Sequence, residues 1–412
     1  MRLLRRSLHS LLAMTSGMMN LKSFVKIYLR KLFRLGGSRK PFYDFFYYDG
    51  VPHTKRALLA YRAFGVWTQS RVAWSAIGDV HDILRTLSRM GYRTDVIDYD
   101  DTTFVPSQQY DLFIGHNGNN FEHIEKQIPP ETLTVFYPMY AYWKFQNAEE
   151  EKRLAEIKER HGITLAAERT IRVSDDYALA HADGVIVMSN ERGMKTYPRE
   201  ENIFRINNAG YGDEKCMDLS TKDFAAARDG FLFIAGSGNA HKRLDVILEA
   251  FAGMPDKELY LCTKLEDDFK AAFEKYLFHT PNIHYIGHIR LYTPEFYDLM
   301  RKCNYVVYGS CSEGSPGAVI DVMFQGLIPL VSVGSHIDVA PHGFEIEPFT
   351  VEEVQRTVRE VSSHDAAWAQ ERSIAVQNYA KDIFSIERYR ETLKKYIETI
   401  EKEKRATRGI SN

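Results

Sequence analysis

The sequence has little sulfur chemistry. Its four cysteines (Cys216, Cys262, Cys303, Cys311) stand far apart in 412 residues, with no C-x-x-C pair. That spacing gives no zinc or disulfide framework and suits a reduced, intracellular chain. The histidines His241, His279, His284 and His288 lack the convergent spacing of a zinc site. No G-x-S-x-G occurs, so a hydrolase of that kind lacks its nucleophile turn. No G-x-G-x-x-G follows a first strand, which disfavours a dinucleotide oxidoreductase. Net charge is only −2 and the pI about 6.7, which argues against a general nucleic-acid binder. What remains, 44% hydrophobic and 26% charged, is globular, and the length suggests two or three domains.

Acid is missing from one place. Residues 1–40 hold ten Lys and Arg and no Asp or Glu, so the other 372 residues carry −12. Within this arm, Leu21, Phe24, Val25, Tyr28, Leu29 and Leu32 share one helical face, with Lys26, Arg30 and Arg34 opposite. Such a helix suits an anionic membrane surface, each basic side chain adding roughly 1 kcal/mol. It is too short and too charged to span a bilayer. A helix docked on the body, a disordered tail and a cleaved signal are the other readings. The expected location is cytoplasmic, peripheral at the inner face of the cell membrane if the arm binds lipid.

From residue 56 onward, short apolar runs alternate with amphipathic helices, the pattern of doubly wound α/β domains. Strands are predicted at 56–63, 94–100, 110–118, 133–139, 183–189 and 202–208. A second cycle follows at 230–236, 257–263, 282–288, 304–310 and 328–333. Two Rossmann-like domains result, 41–212 and 213–385, with a final amphipathic helix over 386–404 returning to the first. The charged stretch 147–162 reads as a mostly solvated helix. Ligands of such sheets bind outside the carboxyl ends of the strands, so a cleft between the halves is the expected site.

The most informative stretch is CSEGSPGAVIDVMFQG, 311–326. A strand ends, a Glu-Gly-Ser-Pro-Gly turn follows, and a helix begins near Ala318. A helix amino end suits a phosphate, and Gly314 and Gly317 permit close approach of a ligand to the backbone. Glu313 and Asp321, eight residues apart, can accept hydrogen bonds from sugar or ribose hydroxyls. The same letters also fit a plain glycine turn with Glu313 capping the helix.

These residues resemble a known family. Glu313 to Asp321 looks like the E-x7-E motif of family 4 glycosyltransferases, retaining enzymes of GT-B fold. EGSPGAVIDVMFQGLIPLVS (313–332) is similar to that family's E-G-x-P-x-x-V-x-E-A-M-x-x-G-x-P-V-V-x-S. GSGNAHKRLDVILEAF resembles the segment with the family's phosphate-binding lysine, here Lys242. NIHYIGHI is similar to the strand whose following turn receives the base, here His288 and Ile289. RINNAGYGD looks like the interdomain linker. The likeness is clear over about 200–385 and mostly topological over 56–199.

The resemblance implies that Glu313 contacts the donor sugar, Asp321 the ribose, and Lys242 the diphosphate. Gly314, Ser315, Gly317 and Ala318 would line the donor site. It implies a nucleotide-sugar donor, a glycan or lipid-linked acceptor in envelope or surface polysaccharide synthesis, and no cofactor or catalytic metal. The D-x-D-like DYDD (98–101) is then an ordinary acidic strand end. Two departures stand out: Asp replaces the second glutamate, and Ser237 stands where the family usually has a second cation. His116, just after a strand, falls on a family histidine near the donor sugar and is expected to donate a hydrogen bond to a sugar hydroxyl. Tyr142 and Trp143 offer an aromatic face for an acceptor, or packing under a loop. The rival functions are a GT-B epimerase and a non-catalytic sugar-nucleotide binder.

Overall fold

The computed structural model describes residues 41–47, 50–63, 66, 75–212 and 215–409. The basic arm 1–40, and every expectation resting on it, lies outside them.

Two sheets form the frame. The first has seven strands: β1 (Phe42–Phe45), β2 (Lys55–Tyr61), β3 (Tyr92–Asp98), β4 (Leu112–Gly115), β5 (Leu133–Phe136), β6 (Gly184–Met188) and β7 (Ile203–Ile206). Their order is β1-β3-β2-β4-β5-β6-β7. All neighbours run parallel except β1, which pairs antiparallel with β3 at the edge. The first predicted strand is therefore the second observed one. Phe42–Phe45 escapes a search for apolar runs because an edge strand is only half covered, and its Tyr43 and Asp44 are exposed.

The second sheet is wholly parallel. Its strands are β8 (Gly230–Ile234), β9 (Glu258–Cys262), β10 (Ile283–Tyr285), β11 (Tyr305–Tyr308), β12 (Ile328–Ser332) and β13 (Phe344–Ile346). They lie in the order β10-β9-β8-β11-β12-β13. Central strands such as GFLFI (β8) and YVVY (β11) are buried along their whole length, as a parallel sheet covered on both faces requires. The order reverses between β8 and β11, so a crevice opens there at the carboxyl ends. In the first sheet the matching position lies between β2 and β4.

The chain crosses between the halves twice, and the crossings are joined where Gly210 N–H donates to Phe384 O (2.9 Å). After the second crossing, the helix Ile386–Thr407 lies on the first sheet. It buries Tyr389, Leu393, Ile397 and Ile400, spaced four, four and three residues apart. Each fully buried aliphatic side chain contributes roughly 2 kcal/mol. Gly184 makes room, since a Cβ there would meet Ile400 Cδ1 at 2.4 Å.

The charged helix departs from expectation. It runs Trp143–His161 and is not mostly solvated: Gln146, Glu150, Arg153 and Ile157 form a buried stripe. Its amino end packs with the first half, where Tyr142 joins the core under β4 and β5. Its later residues pack with the second, where Ile157 and the following Leu165 enter the core of the second sheet. Arg153 reaches Asp245, and Arg160 Nη2 meets Glu249 Oε2 at 2.6 Å. The helix is a strap between the halves.

Candidate functional site

The crevice between β8 and β11 gathers the motif residues. After β8 the chain turns through Gly236–Arg243, bringing Lys242 over the sheet. After β11 it turns through Gly309–Pro316, bringing Glu313 alongside. Lys242 Nζ and Tyr308 Oη each donate to Glu313 Oε1 at 3.0 Å. Lys242 Nζ also donates to Ser237 O at 2.9 Å. From beyond the strap helix, Arg169 Nη2 comes within 3.9 Å of Glu313 Oε2.

Burial alone would raise the Glu313 carboxyl. The charges of Lys242 and then Arg169 outweigh it and lower the acid to about 2, so Glu313 is an anion across the physiological range. Burial lowers Lys242, and Glu313 acts against that shift.

The turn carrying Glu313 is fixed through four successive carbonyls. His241 Nε2 donates to Ser312 O (2.5 Å), His336 Nδ1 to Glu313 O (2.7 Å), Ser189 Oγ to Gly314 O (3.0 Å) and Asn208 Nδ2 to Ser315 O (3.1 Å). Buried His241 is held neutral, lowered to about 4, and its Nδ1 lies 3.2 Å from the Cys311 thiol. Such prior fixing of a charged group is what electrostatic catalysis requires. Gly314 departs from its expected use. A Cβ there would lie 2.2 Å from Met139 O and 2.9 Å from Met188 O, so the glycine admits the facing half's backbone.

Asp321 lies in the helix Gly317–Met323, which no side chain caps. It is fully buried: Oδ1 accepts from Tyr292 Oη (2.6 Å) and Tyr211 N–H (3.0 Å), and Oδ2 has no partner among the described residues. Burial raises it to about 6, against both hydrogen bonds. Tyr292 adopts a left-handed backbone (φ 61°) at the turn before its helix. Ile289 is half-buried against the second core, Ala318 likewise, and His288 is exposed.

In the first half, His116 follows β4 and packs edge-on against Tyr61, Tyr99 and Tyr140. Burial lowers it to about 4. Its Nδ1 lies 2.9 Å from Tyr137 O, and a carbonyl only accepts, so the ring proton is on Nδ1. The neutral ring then offers Nε2 as an acceptor, the reverse of the expected donor. Tyr142 is buried and donates to Asp176 Oδ1 (2.6 Å), as does Trp143 Nε1 (3.1 Å). Their rings pack with the core, the loop-packing alternative. In DYDD, Asp101 Oδ1 accepts from Thr103 N–H and Oγ1 in a turn.

Among the described residues, one group has metal-ligand spacing: His161, Asp245 and Glu249. Its carboxylates already face Arg153 and Arg160. Residues that motif reading missed include Arg169, Tyr308, His336, Ser189 and Tyr292. None sits in a motif, and only Tyr308 and Ser189, at the ends of apolar strands, had a local signal.

No protein-family model matches the sequence, and no curated protein resembles it in sequence. Solved structures do resemble it in fold. Sucrose-phosphate synthase from Thermosynechococcus elongatus aligns with a TM-score of 0.58 at 13% identity, over 84% of this chain and 98% of that one. Anabaena HepE, solved with UDP and glucose, aligns at 0.53 and 12% identity, over 84% and 100%. WaaG, a glycosyltransferase involved in lipopolysaccharide biosynthesis, aligns at 0.51 and 16%, over 83% and 99%. Two parallel-sheet α/β domains with these neighbours define a GT-B fold. Among the described residues, no helix is long and apolar enough to cross a membrane.

Proposed function

We propose that the protein is a retaining glycosyltransferase of family 4 type, moving a sugar from a nucleotide-sugar to a glycan or lipid-linked acceptor. The observation that carries this reading is the ionised Glu313 paired with Lys242 at the switch point of the second sheet. HepE, whose fold is similar, was solved with UDP and glucose.

Lys242 takes the diphosphate and offsets the charge that builds as the leaving group departs. The helix Gly317–Met323 begins four residues after Glu313. Glu313 orients the donor sugar and steadies positive charge at its anomeric carbon. The acceptor hydroxyl approaches on the face the leaving group vacates, and a phosphate oxygen takes its proton. His116 Nε2 accepts a hydrogen bond from a sugar hydroxyl. Tyr292 Oη now fills the place on Asp321 that a ribose hydroxyl would take, so ribose binding displaces it. The acceptor belongs to envelope or surface polysaccharide synthesis, with the basic arm holding the enzyme at an anionic membrane face.

Incubating the protein with a panel of nucleotide-sugars, with and without glycan acceptors, tests the reading. Acceptor-dependent release of nucleoside diphosphate is expected. Epimerised donor, or binding without turnover, would replace it with the epimerase or the non-catalytic reading.

A further inference from the structure

A nucleotide-sugar's diphosphate carries two negative charges and gains more as it leaves. One lysine, already shared between Glu313 and Ser237 O, matches that charge poorly. The turn after β8 offers little more. Its Gly238 and Asn239 N–H groups donate to the Glu266 carboxylate at 2.7 and 2.9 Å. The N–H groups of Arg243 and Leu244 are taken by Ala240 O and Asn239 O, both at 3.0 Å. Arg243 points away, its Nη1 lying 3.4 Å from Glu156 Oε2.

Another cation reaches the same place from a different part of the chain. Arg169, eight residues past the end of the strap helix, lies beside Glu313, with 38% of its side chain exposed. Its Nε is buried and has no partner among the described residues. Two features hold it there. Gly238 is left-handed (φ 88°), and a Cβ on it would lie 2.8 Å from Arg169 Cγ, so the arginine stem rests on bare backbone. Glu150, almost fully buried, aims its carboxylate at the segment. It accepts from Glu168 N–H (3.1 Å), Arg169 N–H (2.6 Å) and Thr170 Oγ1 (2.9 Å). Gln146 Nε2 adds a bond to Arg169 O (2.7 Å). A buried carboxylate spent on three donors of one short segment fixes that segment against the second half.

We propose that Arg169 is the second cation of the diphosphate site, supplied by the segment behind the strap helix instead of the turn after β8. The inference rests on the glycosyl-transfer reading and names a further residue of that site. Its contact with Glu313 is loose, and a planar guanidinium suits two phosphate oxygens better. On donor binding Arg169 turns to the diphosphate, which frees one oxygen of Glu313 for the sugar.

Calorimetric titration of the full chain with UDP, GDP and ADP, and with the matching monophosphates, tests this. The wild type is expected to take up one of the diphosphates. Arg169→Gln should weaken that uptake roughly ten- to a hundredfold, with a smaller loss for the monophosphate and an unchanged melting temperature. Ser237→Arg added to Arg169→Gln should recover part of the loss, because residue 237 borders Lys242. Undiminished diphosphate uptake by Arg169→Gln, or equal losses for diphosphate and monophosphate, would overturn the inference alone. A wild type that takes up none of the three would overturn the glycosyl-transfer reading, and this inference with it.

Discussion

Two acid–cation clusters join the halves of this molecule, and they differ in what is left open. Around Asp245, fully buried, lie Arg153 at 1% exposure and Arg160, which also meets Glu249. Around Glu313, at 11%, lie Lys242 and Arg169, the latter at 38%. Each sets a carboxylate between two cations, and in each an arginine leaves Nε without a partner among the described residues. Charge content therefore does not separate them. Access to the acid does: Asp245 is closed off and fastens the strap helix, with only Arg160 at the rim 35% exposed, whereas Glu313 itself keeps 11% exposure at the switch point. An ion-paired carboxylate suggests function only when something can reach it.

The sharpest break of this contrast is at Glu313. Glu313→Gln keeps the contacts with Tyr308 and Lys242 but loses the charge. Sugar transfer should fall by roughly a hundred- to a thousandfold, with a stability loss of about 1–3 kcal/mol because Lys242 and Arg169 lose their counter-charge. Normal turnover would remove Glu313 from the chemistry. Asp245→Ala should act on stability and spare the transfer chemistry, leaving buried Arg153 without its main partner. A loss of about 3–5 kcal/mol is expected in urea unfolding, and an equal loss of turnover by the folded variant would erase the distinction.

The smallest effect concerns pH. Asp321 is raised from 3.8 to about 6 in the fold. Its proton thus stabilises the native state fully below pH 4, and that contribution is lost as pH rises through 6. Asp321→Asn has no such titration, so its stability should stay flatter between pH 4 and 6, by roughly 2–3 kcal/mol. Parallel pH profiles for variant and wild type would show that Asp321 titrates normally.

Much of the frame could be read from the residues because parallel strands buried on both faces leave continuous apolar runs, as in GVIVM and GFLFI. The pairing of Glu313 with Lys242 followed from motif resemblance, and the switch between β8 and β11 gives its physical reason. Other features left no such trace. Phe42–Phe45 and Phe344–Ile346 are short edge strands whose half-covered faces break the apolar pattern. The strap helix buries Gln146, Glu150 and Arg153, polar residues with partners as distant as Asp245, so hydropathy makes it look solvated. Arg169 belongs to a loop, and its place depends on Gly238 and Glu150. The proton position on His116 needed the Tyr137 carbonyl.

The most direct test of the central claim is a crystal structure of the protein with a nucleoside diphosphate that it binds in solution. The account predicts the diphosphate within hydrogen-bond distance of Lys242 Nζ, with Glu313 lining the adjoining space for the sugar. A diphosphate bound elsewhere, with the Lys242–Glu313 pair undisturbed and remote from it, would contradict it.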